Sequence, residues 1–162
     1  MGCANSLILL ELDRAGLLAG KRIVVYEPEQ KKANDRTFCF WLEPKVLQDA
    51  GLDKIVSHSW SAVKVNELSA QSLAGKKYFY LRADALYAHT SQLLSQYDVT
   101  LRRELLQDYP EALAHFVFDS RPPYFDLNHQ IDVQISQSFY GWLVKTEAPV
   151  FDPEVFTMMD FS

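Results

Sequence analysis

A single acid closes the first apolar run of the chain, Lys21-Arg22-Ile23-Val24-Val25-Tyr26-Glu27. Ile23, Val24 and Val25 are consecutive β-branched residues, which predicts a parallel strand covered by helices on both faces. An acid at the tip of the second strand of a nucleotide-binding βαβ unit accepts hydrogen bonds from a ribose, roughly 20 residues after the glycine turn. Glu27 holds that position, with Gly2 opening the helix that feeds its strand. Amides at such a helix N-terminus can meet a pyrophosphate. The fold would need a strand and a further glycine ahead of Gly2, and Asn5 stands where a third glycine would allow close helix-strand packing. The alternative is that Glu27 merely starts a surface turn before Pro28.

Three more positions carry usable chemistry. Asn34 and Asp35 suit a turn, Arg36 offers a bidentate fork, and Phe38, Phe40 and Trp41 follow as large apolar rings. Equally, these rings could be core, with Arg36 paired to Asp35 or Glu27. Arg82 falls where a strand meets a helix, a place that is commonly polar with or without a ligand. Asp119-Ser120-Arg121-Pro122-Pro123 follows the apolar segment Ala114 to Phe118. Polar residues beyond the carboxyl ends of strands in an open α/β sheet are good ligand candidates, although a proline-stiffened exit from the sheet explains the same residues. His58, His89, His115 and His129 share no ligand spacing, and Cys3 and Cys39 form no CxxC, so no metal site is expected.

These residues need a scaffold. The spacing of Leu7, Ile8, Leu10, Leu12 and Leu18 predicts a helix over 4–18, with Gly16 and Gly20 loosening its end. Pro44 starts a short helix that stops at Gly51. Strands are expected over 60–65 and 77–81, the second preceded by a turn at Ala74-Gly75, then a helix over 82–97 and a strand over 99–101. Ala114 to Phe118 reads as a buried strand. The long alternation from Gln130 to Val144 reads as another, in which Gly141 suggests a bulge or a close approach. A returning strand over 156–161 is expected to pair with it.

Composition narrows the partners. The chain has 162 residues, 48% hydrophobic and 13% aromatic, enough for the core of one domain. A net charge of -5 without a basic stripe argues against nucleic acid. No segment reaches the ~18 apolar residues of a membrane span, which leaves peripheral contact as the expected form of any membrane association. Free thiols suit a reducing cytoplasm, the expected location.

The run NDRTFCFW at 34–41, FDSRPP at 118–123, Gln137 with Gly141-Trp142, FDP at 151–153 and MDF at 159–161 together resemble the bacterial lycopene cyclases, the flavoprotein carotenoid β-cyclases. The motifs span nearly the whole chain in the family's order. The resemblance implies an α/β fold, a Rossmann-type FAD-binding domain with its first strand missing, interleaved with an antiparallel β substrate region, as in the glucose-reductase-type FAD monooxygenases. It implies a partial FAD-binding region with inserted strands at 1–128 and the start of the substrate-binding region at 129–162.

It further implies FAD with NAD(P)H as reductant. Gly2, Glu27, Arg36, Arg82 and Asp119 would lie against the cofactor, and Trp41, Gln137, Gly141 and Trp142 against a carotenoid, lycopene. A flavin and a polyene both need flat apolar walls with a few placed donors. The implied activity is acid-initiated cyclisation of acyclic ψ end groups to β-rings. Asp152 and Asp160 are acids in the substrate region but poor candidates for the proton donor, since family members run longer and carry a glutamate implicated as donor beyond the position of Ser162. The chain is accordingly expected to be a fragment, incomplete as an enzyme by itself. The alternatives are a non-catalytic truncated product, a subunit completed by a complementary chain or by dimerisation, or another FAD-dependent oxidoreductase of the same fold.

Overall fold

A computed structural model describes residues 1–66, 68–106, 114–120, 141 and 144–158. Helix α1 spans Cys3–Arg14, strand β1 Arg22–Tyr26, β2 Thr37–Leu42 and helix α2 Pro44–Asp49. They are followed by β3 Val56–Trp60, β4 Ala62–Val65, β5 Gln71–Ser72, β6 Lys77–Arg82, helix α3 Ala83–Leu94, β7 Asp98–Arg102 and β8 Val155–Met158. The chain is thus a mixture of α and β with both parallel and antiparallel sheets.

Strand β1 pairs in parallel with β7, Val25 opposite Leu101. Parallel neighbours need a crossover, and α3 lies within it, packed on α1. The apolar run of β1 is not enclosed as expected. Val25 is 9% exposed, but Val24, which points to the other face, is 47% exposed, because among the described residues no element covers that face. Helix α1 also ends sooner than its periodicity suggests. Gly16 adopts φ +69°, and its amide and that of Leu17 turn back to the carbonyls of Asp13 and Leu12, closing the helix at Arg14.

Strands β2, β6 and β3 form an antiparallel sheet with β6 in the centre. Its back face presents Phe40, Leu42 and Phe79 to Leu47 and Leu52 in and after α2, and to Leu10 of α1. Leu81, 1% exposed, lies on the same face. This core explains why β2 is a strand rather than the loop suggested by Asn34 and Asp35: alternate rings from Phe38 onward have a buried side to fill. The expected strand over 60–65 is two strands, broken at Ser61, whose backbone amide and that of Ala62 both donate to the carbonyl of Glu154. Strand β4 consequently leaves for a third sheet, ordered β5-β4-β8.

Strand β8 pairs in parallel with β4, Val63 opposite Phe156, while its expected pairing with Gln130–Val144 falls largely outside the described residues. The start of β8 is fixed by Asp152, whose carboxylate accepts the Glu154 amide at 2.8 Å, bringing Glu154 against Ser61. Of the Gln130–Val144 segment only Gly141 and Val144 are described, neither in a strand. Ala114 to Phe118 is no strand either. It is irregular, with Phe116 81% exposed, and it has no ladder partner among the described residues.

Candidate functional site

The first turn of α1 lacks a side-chain cap and has no acid in it, so its leading amides have no side-chain acceptor. Glu27 stands beside that turn. Its Oε2 is 2.6 Å from the Met1 nitrogen, its Oε1 accepts the Glu29 amide at 3.0 Å, and its side chain is 12% exposed. Burial pushes the Glu27 carboxyl up, and the hydrogen bonds from Met1 and Glu29, with the charges of Met1 and Lys31, outweigh it, leaving the group below the usual carboxylate range. The strand tip is also anchored from outside: the Glu27 amide donates to the Arg102 carbonyl, and Arg103 donates to the carbonyls of Glu27 and Glu29.

A third segment reaches the same place. The Asn5 side-chain amide donates to the Phe118 carbonyl at 3.2 Å, and a Cβ on Gly2 would lie 3.8 Å from Ser120 Oγ. Gly2, Glu27 and the Phe118–Ser120 segment containing Asp119 therefore converge on the N-terminus of α1. Asn5 was legible only as a departure from a glycine pattern; its actual part is to hold the 118–120 segment. Gly2 has φ -76°, and a Cβ there would make an ordinary contact at 3.8 Å, so neither backbone nor space in the described chain demands glycine.

Arg82 and Arg36 are placed differently. The Arg82 guanidinium forms a two-point pair with Asp84, Nε to Oδ1 at 2.9 Å and Nη2 to Oδ2 at 2.6 Å, at the start of α3. Arg82 is also the helix N-cap residue and offers no side-chain acceptor; instead Asn34 Oδ1 accepts the Ala83 amide at 2.8 Å while its amide group donates to the Tyr80 hydroxyl at 3.1 Å. Asp35 accepts from the Tyr87 hydroxyl at 3.0 Å. The loop from Glu27 to Arg36 is thereby tied at one end to β7 and at the other to α3. Arg36 is exposed and pairs with neither Asp35 nor Glu27.

Trp41 is 43% exposed on the front of the antiparallel sheet and stacks on Tyr78, ring centroids 4.1 Å apart. Gly141 is exposed, and a Cβ there would meet nothing within 4 Å, so no part of the described chain approaches it closely. Asp152 is spent on the turn before β8. Gln137, Trp142, Asp160 and the Arg121–Pro123 end of the proline motif lie outside the described residues. Among the described residues no cluster of His, Cys, Asp or Glu could hold a metal ion, and no helix is long and apolar enough to cross a membrane.

Among the described residues, a helix N-terminus without a side-chain cap, an acid at the adjoining strand tip and the Phe118–Ser120 segment thus lie together, the kind of place where nucleotide-binding folds hold a phosphate and a ribose. The family model described as Lycopene cyclase protein matches this sequence over residues 1–162, and the chain belongs to that family. Its function is accordingly of the carotenoid-cyclase kind, with a carotenoid as the substrate the family implies. No curated protein matches the chain. Lycopene cyclases are in general flavin-dependent. The residues around the α1 N-terminus fit the adenosine end of such a cofactor: Glu27 offers two carboxylate oxygens where ribose hydroxyls need acceptors, and the first-turn amides carry the positive end of the helix dipole.

Proposed function

We propose that this chain contributes the cofactor and substrate surfaces of a flavin-dependent lycopene β-cyclase. The observation that carries the reading is the convergence of Gly2, Glu27 and Phe118–Ser120, three separated motifs, on one helix N-terminus in a chain that matches the family along its whole length. In the reaction a proton adds to the terminal double bond of an acyclic end group, the cation is captured by an internal double bond to close a six-membered ring, and a proton leaves. One proton enters and one departs, so the product is an isomer and there is no net redox change.

FAD, reduced by NAD(P)H, supplies when bound a negative charge near the developing cation. The chain's own residues bind and orient. Glu27 holds the adenosine ribose, Gly2 leaves room for close approach, and Asp119 belongs to the turn that closes over the cofactor. Arg36 is an uncommitted cation beside Tyr87, and Arg82 would exchange its exposed pair with Asp84 for a phosphate. Trp41 supplies an apolar wall for the polyene, and the family's motif order assigns Gln137, Gly141 and Trp142 to the same substrate. Asp152 supports the turn before β8.

The test is FAD titration of the whole protein that carries residues 1–162, with product analysis in a lycopene-accumulating host. Loss of a charge-assisted hydrogen bond costs about 1.5–3 kcal/mol, so Glu27→Ala is expected to weaken FAD binding by roughly ten- to a hundredfold. The expected product carries β-rings. Unchanged FAD affinity in Glu27→Ala, or a pigment left acyclic by the unaltered protein, overturns the reading.

A further inference from the structure

Among the described residues three non-glycine positions have positive φ: Lys31 at 48°, Asn66 at 48° and Ala74 at 49°. Asn66 and Ala74 sit in the turns that follow β4 and β5, where left-handed residues are common. Lys31 lies in the irregular chain between Glu27 and Thr37, outside any turn. A left-handed residue other than glycine costs free energy and persists where its surroundings fix it. Here the surroundings act on the side chain. The Lys31 ammonium pairs with the Glu29 carboxylate, lies 3.8 Å from Asp35 Oδ2 and stands 5.8 Å from the centre of the Tyr87 ring. The side chain is 16% exposed, against 76% for Lys45 in its surface pair with Asp49. Lysines are rarely so enclosed unless paired.

The partners of Lys31 lead to the candidate site. Asp35 accepts from the Tyr87 hydroxyl at 3.0 Å, so Lys31, Asp35 and Tyr87 together tie the loop to α3. Glu29 donates its amide to Glu27 Oε1 at 3.0 Å, while its carbonyl accepts from Arg103. The backbone of Glu29 is thus held by Arg103 and its side chain by Lys31, with the amide between them aimed at the Glu27 carboxylate. We infer that Lys31 is a positioning residue for Glu27: by holding Glu29 it fixes the orientation in which the Glu27 carboxylate is offered to a ribose. The functional part of the inference rests on the nucleotide reading of Glu27 given above. A fixed acceptor binds better than one that must be ordered by its ligand. The residue type follows from the same contacts. An ammonium meets two carboxylates and a ring face at once, whereas glycine would ease the backbone and leave Glu29 unheld.

The test has two arms, both on the whole protein that carries residues 1–162. In flavin-free protein, hydrogen exchange of the Glu29 amide reads whether its bond to Glu27 persists. Lys31→Met keeps the stem and removes the charge, and Lys31→Gly also eases the backbone. Each is expected to speed that exchange by about fivefold or more, and Lys31→Arg, which keeps the cation, by less than about twofold. In the second arm, FAD titration is expected to show binding about three- to tenfold weaker for Lys31→Met and Lys31→Gly and close to the parent for Lys31→Arg. Lys31→Gly should melt no lower than the parent, which separates positioning from folding. Lys45→Met should match the parent in every reading. Unchanged Glu29 exchange in Lys31→Met and Lys31→Gly overturns the inference. So does an equal loss in Lys31→Arg, a melting temperature of Lys31→Gly that falls along with its protection, or parent-like FAD affinity in a variant whose exchange has quickened. A parent that binds no FAD refutes the flavin reading of Glu27 instead, and the exchange arm alone then decides whether Lys31 fixes the carboxylate.

Discussion

The parallel β1–β7 pair and the antiparallel β2-β6-β3 sheet are built from similar residues and live in different surroundings. Val24 in the parallel pair is 47% exposed, while Phe79 and Leu81 in the centre of the antiparallel sheet are 4% and 1% exposed. Apolar composition does not separate them. What separates them is the neighbour: α2 and the Leu47–Leu52 turn fill the back of the antiparallel sheet, whereas the Val24 face has no cover among the described residues. Among the described residues the buried apolar side chains are therefore concentrated in the antiparallel sheet, α2 and α3.

The sharpest way to break this contrast is a pair of truncations followed by denaturant unfolding. Leu81→Ala leaves a cavity at a fully enclosed site and should cost about 2–5 kcal/mol. Val24→Ala at the open face should cost less than about 1 kcal/mol. Similar losses at the two positions would show that the parallel pair is as enclosed as the antiparallel sheet.

A smaller effect probes the link between the two regions. Asn34 reaches from the loop after Glu27 to cap α3 and to hold the Tyr80 hydroxyl. Removing a cap of this kind costs about 0.5–2 kcal/mol, so Asn34→Ala should lower the melting temperature measurably. Asn34→Asp, which keeps the acceptor for the Ala83 amide, should recover part of the loss. If both variants melt alike, the cap is not what couples loop to helix.

The smallest effect is a titration. Burial, together with the hydrogen bond and charge of Cys39, pushes the Tyr78 hydroxyl up from 10.0 to about 12. The folded chain thus holds this proton more tightly than the unfolded chain. The stability this confers is complete below pH 10.0 and is lost as pH rises through about 12. In an alkaline unfolding series Tyr78→Phe should lose less stability across that window than the parent. Parallel curves for the two proteins would place the Tyr78 hydroxyl in open solvent.

Much of this was legible in the residues. Helix α3 within 82–97, β6 at 77–81, β7 around 99–101, the Pro44 helix and the Ala74-Gly75 turn all follow from periodicity and turn chemistry, which are local. Glu27 and Trp41 were marked as site residues by their types and by motif order. Tyr78 and Trp60, which lie across the sheet from Trp41, each read alone as an ordinary strand aromatic. That Tyr78 and Trp60 share a face with Trp41 is visible only once β2, β6 and β3 are known to be neighbours.

The sequence by itself determined the kind of element at many positions, a net charge of -5 with no basic run, and the family, because composition, spacing and motif order do not depend on contacts. Tertiary structure decided who meets whom. It broke 60–65 at Ser61 and sent β4 to β8, left one face of β1 uncovered and Ala114–Phe118 without a ladder among the described residues, and brought Asn5 to Phe118 across more than a hundred residues of chain. A strand's alternation says which side chains share a face, but its edge hydrogen bonds accept any extended partner. The choice falls to whichever pairing also fills the core behind it.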